Sequence, residues 1–211
     1  MNGKPICRPE LKINTDQDEV LFQGEPVTYE EYEYYMLNKP AGVISAASDR
    51  QETTVVDLIK DRKRDDLFPV GRLDKDTEGL LIITNNGELA HRLLSPKKHV
   101  DKVYFAKVKG IVTEADVKHF AQGLDIGDEK PTLPAELVIC SSDEISGILL
   151  TIREGRFHQV KRMFQAVGKE VVYLKRLRMG GITLDDRLKP GEYRRLTEEE
   201  VDRLCSQERK P

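Results

Sequence analysis

The feature that most constrains the fold of this chain is the near-continuous apolar run at residues 79–84, with consecutive aliphatic side chains from Leu80 to Ile83. A short apolar run of this length predicts a buried strand. The residues just before the run are rich in charge: Arg72, Asp74, Lys75, Asp76 and Glu78. Charges at the mouth of a buried strand form either a solvated turn or a reactive site.

The rest of the chain mixes strands and helices without the regular alternation of a doubly wound parallel sheet. Strands are predicted at 19–22, 32–37, 43–45, 79–84, 103–108, 135–140, 148–152 and 171–174. Helices are predicted at 54–59, 88–94, 113–122, 157–167 and 197–205, with Asn of the 85–87 turn and Thr197 as N-caps. An apolar stripe of Val160, Met163, Phe164 and Val167 supports the helix at 157–167. The expected fold class is α+β.

Charge is distributed unevenly along the 211 residues, whose net charge is −3. Residues 153–178 carry eight Lys or Arg against two Glu, and residues 91–109 carry six against one Asp. Binding of phosphate depends on the local field rather than on the total charge. These two runs are therefore either solvated faces or a nucleic-acid surface, and composition alone leaves both open.

Several classes of protein are disfavoured by what the sequence lacks. The three cysteines are far apart, and the four histidines form no metal-binding motif, so we expect neither a disulfide framework nor a metal. The first ten residues contain no apolar segment of a secretory signal, and no run is long enough to span a bilayer. We expect a cytoplasmic protein that does not associate with a membrane.

The charged stretch before residues 79–84 allows three interpretations. Asp74 begins a segment that resembles a calcium loop, but its twelfth position is Asn85 rather than the required Glu. A plain charged turn is common before a strand. A carboxylate beside an Arg can also serve as a nucleophile or a general base, and the end of a strand would hold it rigidly.

Four motifs in order favour the catalytic interpretation. They are residues 38–42 (Asn-Lys-Pro-Ala-Gly), 71–80 (Gly-Arg-Leu-Asp followed by Asp-Thr-Glu-Gly-Leu), 101–104 (Asp-Lys-Val-Tyr) and 154–163 (Glu-Gly-Arg-Phe-His-Gln-Val-Lys-Arg-Met). In residue type, order and spacing the chain resembles the pseudouridine synthases from about residue 35 to 195. The resemblance implies a mixed, mostly antiparallel sheet flanked by helices, with the site in a central cleft.

The resemblance also implies an activity: a uridine in RNA is isomerised to its C-glycoside, without metal or cofactor. The matching catalytic carboxylate is Asp74, which attacks C1′ or C6 or removes a proton from the sugar. The base must be flipped out of its stack. Tyr104 matches the aromatic residue that stacks on the base, and Arg156 matches the Arg that lies near the catalytic Asp and keeps it ionised. We expect these three residues to be catalytic.

RNA contacts are expected from the cations in and around the motifs. If the segment is extended, Arg72 shares a strand face with Asp74, and it is a candidate for filling the space of the flipped base or holding its phosphate. The other candidates are Lys39, Lys102, Lys161, Arg162, Lys175 and Arg176. The turn that contains Lys39 is also expected to pack beneath the site, and no chemistry is assigned to His158.

Within the family, the chain resembles the branch that modifies small-subunit (16S) ribosomal RNA. The resemblance rests on residues 76–79 (Asp-Thr-Glu-Gly), 91–100 and 174–180. The expected partner is this RNA or a pre-ribosomal particle, bound by a monomer. Three alternatives stay open: a synthase for large-subunit RNA, a non-catalytic RNA-binding assembly factor on the same fold, and a carboxylate-dependent glycosidase, which would need a second carboxylate.

Three segments are expected. Residues 1–28 resemble only the last part of an N-terminal RNA-binding domain like that of small ribosomal protein four. Residues 29–205 form the catalytic domain, and 206–211 a C-terminal tail. We expect RNA affinity to be weaker than in a relative with the complete N-terminal domain, and grafting that missing half should restore it.

Overall fold

The computed structural model describes residues 1–8, 10–14, 17–27 and 30–206. The chain divides into two compact units, Met1–Tyr32 and Glu33–Pro211. The domain boundary predicted after residue 28 falls at residues 28 and 29, which lie outside the described residues. The tail predicted at 206–211 also lies outside them, except for Ser206, so both assignments stay predictions.

The first unit contains a two-stranded antiparallel hairpin of β1 (Leu21–Phe22) and β2 (Glu25–Pro26). Gln23 and Gly24 form its turn, and both have positive φ angles, of 53° and 88°. Such turns match the twist of the strands that they join. The strand predicted at 19–22 is thus present only in its second half.

The second unit has four helices and nine strands among its described residues. The strands are β3 (Tyr34–Lys39), β4 (Phe68–Pro69), β5 (Glu78–Thr84), β6 (Lys102–Lys109), β7 (Glu136–Ser141), β8 (Ile145–Ile152), β9 (Glu170–Met179), β10 (Ile182–Thr183) and β11 (Tyr193–Arg195). The helices are α1 (Gly87–Leu94), α2 (Glu114–Gln122), α3 (Gln159–Ala166) and α4 (Glu198–Cys205), with a 3₁₀ turn at Pro96–Lys98.

These strands form one sheet in the order β11-β3-β5-β9-β6-β8-β7, with β4 paired to β5 and β10 paired to β9. Every pair is antiparallel except β5 with β9. The α+β prediction is confirmed. The sheet matters for function because each of the four motifs lies at or next to an end of one of its strands, β3, β5, β6 or β8.

The apolar run of β5 is buried on both sides of the sheet. Leu81 and Ile83 belong to one apolar cluster, whereas Leu80 and Ile82 belong to a second. Helices α2 and α3 pack into the first cluster, and α1 and α4 into the second. Alternate residues of a strand face opposite sides, so a strand covered by helices on both faces has to be apolar throughout.

The helices α1, α2 and α4 begin at residues whose side chains cap the helix N-terminus. The Asn86 side chain accepts a hydrogen bond from the Leu89 N–H at the start of α1. Thr113 and Thr197 form reciprocal capping boxes with acidic residues three positions later, at the starts of α2 and α4. Each such cap is worth about 0.5–2 kcal/mol. The predicted caps at Asn86 and Thr197 are confirmed.

Two local predictions are wrong. Residues 54–59 form turns rather than a helix, although the Asp57 carboxylate accepts hydrogen bonds from the Thr54 N–H and hydroxyl, both at 2.8 Å, as at the start of a helix. The strand predicted at 43–45 is reduced to a single bridge between Ile44 and Thr54. In addition, β9 is longer than the predicted 171–174 because it pairs with both β5 and β6.

Candidate active site

Asp74 lies in the loop between β4 and β5, at the first position of a tight turn. The Thr77 N–H closes this turn by donating to the Asp74 carbonyl oxygen at 3.1 Å. The Ser45 hydroxyl donates to the Leu73 carbonyl oxygen at 2.8 Å and accepts from the Leu73 N–H at 3.0 Å. Residues 71–77 are not in a strand, so the predicted sharing of a strand face by Arg72 and Asp74 is wrong.

Lys39 braces this loop from inside the protein. Its ammonium, 0% exposed, donates to the carbonyl oxygens of Pro40 at 3.0 Å, Lys75 at 3.2 Å and Thr77 at 2.9 Å. Burial lowers the pKa of Lys39 to about 8. A fully buried ammonium cannot reach RNA, so the assignment of Lys39 as an RNA-binding residue is wrong. Its architectural role follows from these three hydrogen bonds to the loop.

Two side chains from the start of α3 face the Asp74 carboxylate. Lys161 Nζ lies 3.3 Å from Asp74 Oδ2, and His158 Nε2 lies 3.5 Å from Asp74 Oδ1. Lys161 also forms an ion pair with Asp76 at 2.7 Å. Burial acts to lower the pKa of Lys161, but the hydrogen bond to Asp76 and the charge of Asp74 raise it on balance. Lys161 is therefore a fixed cation beside Asp74 rather than a free phosphate clamp.

Arg156 lines the same pocket and cleft as Asp74, but it forms no salt bridge with Asp74 among the described residues. Its Nε donates to Glu154 Oε2 at 3.0 Å, and its Nη atoms donate to the carbonyl oxygens of Lys130 and Pro131 at 2.6 and 2.8 Å. The cation that contacts the Asp74 carboxylate here is Lys161 of α3, and the catalytic role expected of Arg156 stays a prediction. Arg156 joins the turn before α3 to the segment that precedes β7.

We expect Arg156→Ala to destabilise the fold more than it slows the reaction of the folded protein. The change removes the cation from the nearly buried Glu154 carboxylate and leaves two carbonyl groups without donors, at a cost of about 2–4 kcal/mol. Urea unfolding measures this loss. Arg153→Ala, which removes a half-exposed pair with Asp101, is the matched control and should cost less than about 1 kcal/mol. Unchanged stability of the Arg156 variant with loss of activity would support its catalytic assignment.

A pocket of about 120 Å³ adjoins the Asp74 carboxylate, and Asp74, Tyr104, Lys102 and Arg176 line it together with the apolar side chain of Leu174. Several of its residues also line a larger cleft of about 700 Å³. Ligand sites are commonly clefts of about 300–1,000 Å³ that combine apolar walls with a few polar groups. The structure thus brings the predicted Asp74 and Tyr104 into one pocket.

The remaining predicted RNA contacts divide by exposure. Arg72 is exposed and lines both cavities, and Lys175 on β9 is half-buried. Lys102 and Arg176 are buried, at 6% and 2% exposure; both line the pocket, and Lys102 also lines the cleft. Arg162 is held by Asp128 at 2.6 Å. Only Arg72 and Lys175 among these five combine accessibility with the absence of a salt bridge among the described residues.

Two neighbouring residues without a role predicted from the sequence lie at the cleft. Phe157 is 76% exposed, and its ring stacks on that of His158 with centroids 3.8 Å apart and planes inclined by 19°. His158 has a left-handed backbone, with φ 47° and ψ 34°, which non-glycine residues adopt infrequently. This conformation directs the imidazole towards Asp74. No sequence pattern predicts that conformation, although an aromatic residue in a basic motif is a signal for RNA stacking.

Neither a metal centre nor a membrane-spanning helix is found in the part of the chain that the structure describes. The described residues contain no group of three or more His, Cys, Asp or Glu side chains that could hold a metal ion. No helix among them has both the length and the apolar character to cross a membrane.

Comparison with known proteins agrees with the geometry of this site. Residues 33–166, more than half of the chain, match the family model described as RNA pseudouridylate synthase. An uncharacterised RNA pseudouridine synthase, YtzG, of Bacillus subtilis is 50% identical over 97% of this chain and 86% of its own length. Ribosomal small subunit pseudouridine synthase A of Escherichia coli is 40% identical over 95% of this chain and 86% of its own length.

A solved structure gives the same result. The crystal structure of a pseudouridylate synthase superposes with a TM-score of 0.77 at 39% sequence identity, over 96% of this chain and 86% of that one. The chain therefore belongs to the RNA pseudouridylate synthase family and is an isomerase that converts uridine to pseudouridine.

Proposed function

We propose that this protein isomerises a uridine of small-subunit ribosomal RNA, with Asp74 as the catalytic carboxylate. The observation that carries the proposal is the position of Asp74, which adjoins the same pocket as Tyr104 while Lys161 and His158 contact its carboxylate oxygens. The 25% exposure of the Asp74 side chain leaves it accessible from the pocket. A carboxylate so held is aimed at one point of the pocket, as a nucleophile or general base requires.

In this proposal the Asp74 carboxylate either attacks C1′ or C6 of the nucleotide or removes a proton from the sugar. The N1–C1′ bond breaks, the uracil turns within the pocket, and a bond forms between C5 and C1′. The hydrogen at C5 is then lost. Lys161 orients the carboxylate through its 3.3 Å contact and is itself fixed by Asp76, so the geometry does not depend on one ion pair alone.

The lining of the pocket supports the binding of a flipped base. Flipping a base out of its stack costs a few kcal/mol, and stacking on an aromatic ring returns about 1–3 kcal/mol. Tyr104 on β6 is 7% exposed and lines the pocket. A base in the pocket can therefore contact its ring, while the rest of the side chain is buried. Leu174 provides an additional apolar wall.

The RNA around the target nucleotide is proposed to contact the cleft. Arg72 is an exposed cation at both the pocket and the cleft. Phe157 is a largely exposed ring at the cleft, where a neighbouring base can stack on it. Lys175, half-buried on β9, supplies a further cation for the phosphate backbone.

The small-subunit branch is proposed from the named relative in Escherichia coli together with the motifs at residues 76–79, 91–100 and 174–180. The substrate is this RNA or a pre-ribosomal particle that contains it, and the protein acts in the cytoplasm as a monomer. A synthase for large-subunit RNA is the principal alternative. A non-catalytic assembly factor is disfavoured because Asp74 and Tyr104 are both present at the pocket.

The test is tritium release from small-subunit ribosomal RNA whose uridines carry tritium at C5. Isomerisation must expel the C5 hydrogen, so the readout is the chemistry itself. Large-subunit RNA and a protein-bound small-subunit precursor are assayed in parallel. We expect release from small-subunit RNA or its precursor, and none from large-subunit RNA. Release from large-subunit RNA alone would overturn the branch, and no release from any substrate would favour the non-catalytic alternative.

A further inference from the structure

Arg176 is a buried cation with unused hydrogen-bonding capacity. It lies on β9, is 2% exposed, and its Nε donates to the Leu80 carbonyl oxygen at 2.8 Å. Its Nη2 is buried and has no hydrogen-bond partner among the described residues. A buried donor left without a partner costs about 1–3 kcal/mol, and more when it belongs to a charged group. Arg176 lines the pocket of Asp74, and because Nη2 itself has almost no accessible surface, a ligand in that pocket supplies the missing acceptor once the guanidinium turns towards it.

Lys102 adds a second cation to the same pocket. It lies on β6, is 6% exposed, and donates to the Val100 carbonyl oxygen at 3.0 Å. Burial lowers the pKa of Lys102 to about 8, and the nearby charge of Arg176 lowers it as well. Lys102 is thus still mainly charged at neutral pH, although burial and the nearby charge of Arg176 both disfavour its charged form.

The carboxylates that act on Lys102 are committed to other groups. Asp101 forms an ion pair with Arg153 at 2.9 Å. Glu154 accepts from Arg156 at 3.0 Å and from the Gln159 side chain at 3.0 Å. Neither Lys102 nor Arg176 forms a salt bridge within the described part of the chain. Two buried cations therefore line one pocket without a salt bridge of their own, and the carboxylate that shares the pocket, Asp74, is paired with Lys161 at 3.3 Å.

We propose that Lys102 and Arg176 bind the carbonyl oxygens of the flipped uracil and stabilise the negative charge that this base gains during isomerisation. When the N1–C1′ bond breaks, its electron pair stays on the uracil and spreads onto O2 and O4. When C6 is attacked instead, the charge also reaches O4. Preorganised donors aimed at developing charge commonly accelerate a reaction more than any other single effect of an enzyme. This inference rests on the proposed function.

The base is a better occupant than a backbone phosphate. The pocket that the two cations share is also lined by Tyr104 and by the apolar side chains of Ile152 and Leu174. A phosphate placed there would lose its hydration against apolar walls, whereas a pyrimidine ring packs on them and presents only its oxygens to the cations. The two cations interact only weakly with the partial charges of a neutral uracil and more strongly with the anionic base. Catalysis requires this difference, because only interactions that strengthen in the transition state raise the rate.

The test compares single-turnover rates and RNA affinities of Lys102→Gln, Arg176→Gln and Arg176→Lys with wild type. Both Gln variants are expected to slow tritium release by about 10²–10³-fold with RNA dissociation constants changed less than about threefold. Arg176→Lys keeps the charge and should recover part of the rate. Lys109→Gln, at an exposed position of β6, makes the same charge change outside the pocket and is the control. Urea unfolding of each variant establishes that it is folded.

A ligand measurement serves if a variant fails to fold. Barbiturate, a pyrimidine that is anionic at neutral pH, is titrated against wild type beside neutral uracil. Wild type should bind barbiturate about tenfold more tightly than uracil, and whichever Gln variant folds should lose that preference. Equal binding of the two pyrimidines, or Gln variants that weaken RNA binding with unchanged rate, would overturn the inference and assign the pair to phosphate. Inactive wild type would instead overturn the proposed function.

Discussion

Asp74→Asn is expected to reduce tritium release by at least about 10⁴-fold while the protein stays folded and binds RNA with nearly unchanged affinity. An amide is neither a nucleophile nor a base at neutral pH, and each catalytic route open to this family needs one of the two. The substitution keeps the shape of the side chain. Lys161 stays paired with Asp76 at 2.7 Å, so the loss of one carboxylate does not leave a buried cation alone.

Asp76→Asn is the matched control, because it removes the same charge two residues away and also loses a contact with Lys161. The Asp76 side chain is 72% exposed and is absent from the lining of both cavities. Its substitution should lower the rate less than about tenfold, through looser positioning of Lys161. Equal effects of the two substitutions would mean that the charge of the whole loop matters and that Asp74 has no special role.

The residues of the pocket could be identified from the sequence because their motifs are contiguous. Asp74 and Tyr104 lie thirty positions apart in the chain, yet both line one pocket, as their motifs predicted. The adjacent residues Lys175 and Arg176 were both assigned to phosphate, but one is half-buried and the other is 2% exposed. Alternation along a strand separates them, and the predicted strand at 171–174 ended too early to show it.

The pairing of Asp74 with Lys161 rather than with Arg156 has a different cause from the error at Lys175 and Arg176. Both are cations of the same motif and both line the pocket of Asp74, but only Lys161 forms a salt bridge with the carboxylate. The backbone between them contains the left-handed residue His158, which directs the start of α3 towards the carboxylate. His tolerates this conformation more readily than most residues, but the sequence does not indicate where it occurs. Tertiary contacts are equally invisible in the sequence at 54–59, where Thr54 bridges Ile44 and the Val55 N–H donates to the Ile44 carbonyl oxygen in place of the predicted helix.

Lys39→Met is expected to lower the free energy of unfolding by about 3 kcal/mol at pH 7. It removes the donor from three carbonyl groups, at roughly 1–3 kcal/mol each. Against this, wild type bears the cost of burying a charge, which the fall in the pKa of Lys39 from 10.5 to about 8 puts at about 3 kcal/mol. Lys75→Met, which removes a half-exposed pair with Glu52 in the same loop, should cost less than about 1 kcal/mol.

The pH dependence of this difference identifies its cause. The pKa of Lys39 is about 8 in the folded state and near 10.5 in the unfolded state, so between these values the unfolded chain binds more protons and wild type gains stability as pH rises. The stability gap between wild type and Lys39→Met should widen by about 1 kcal/mol from pH 7 to pH 9 in urea unfolding. Lys102 is present in both proteins, so its own low pKa cancels in the difference. A gap that narrows, or a stable variant that only loses RNA affinity, would mean that Lys39 faces solvent and contacts RNA after all.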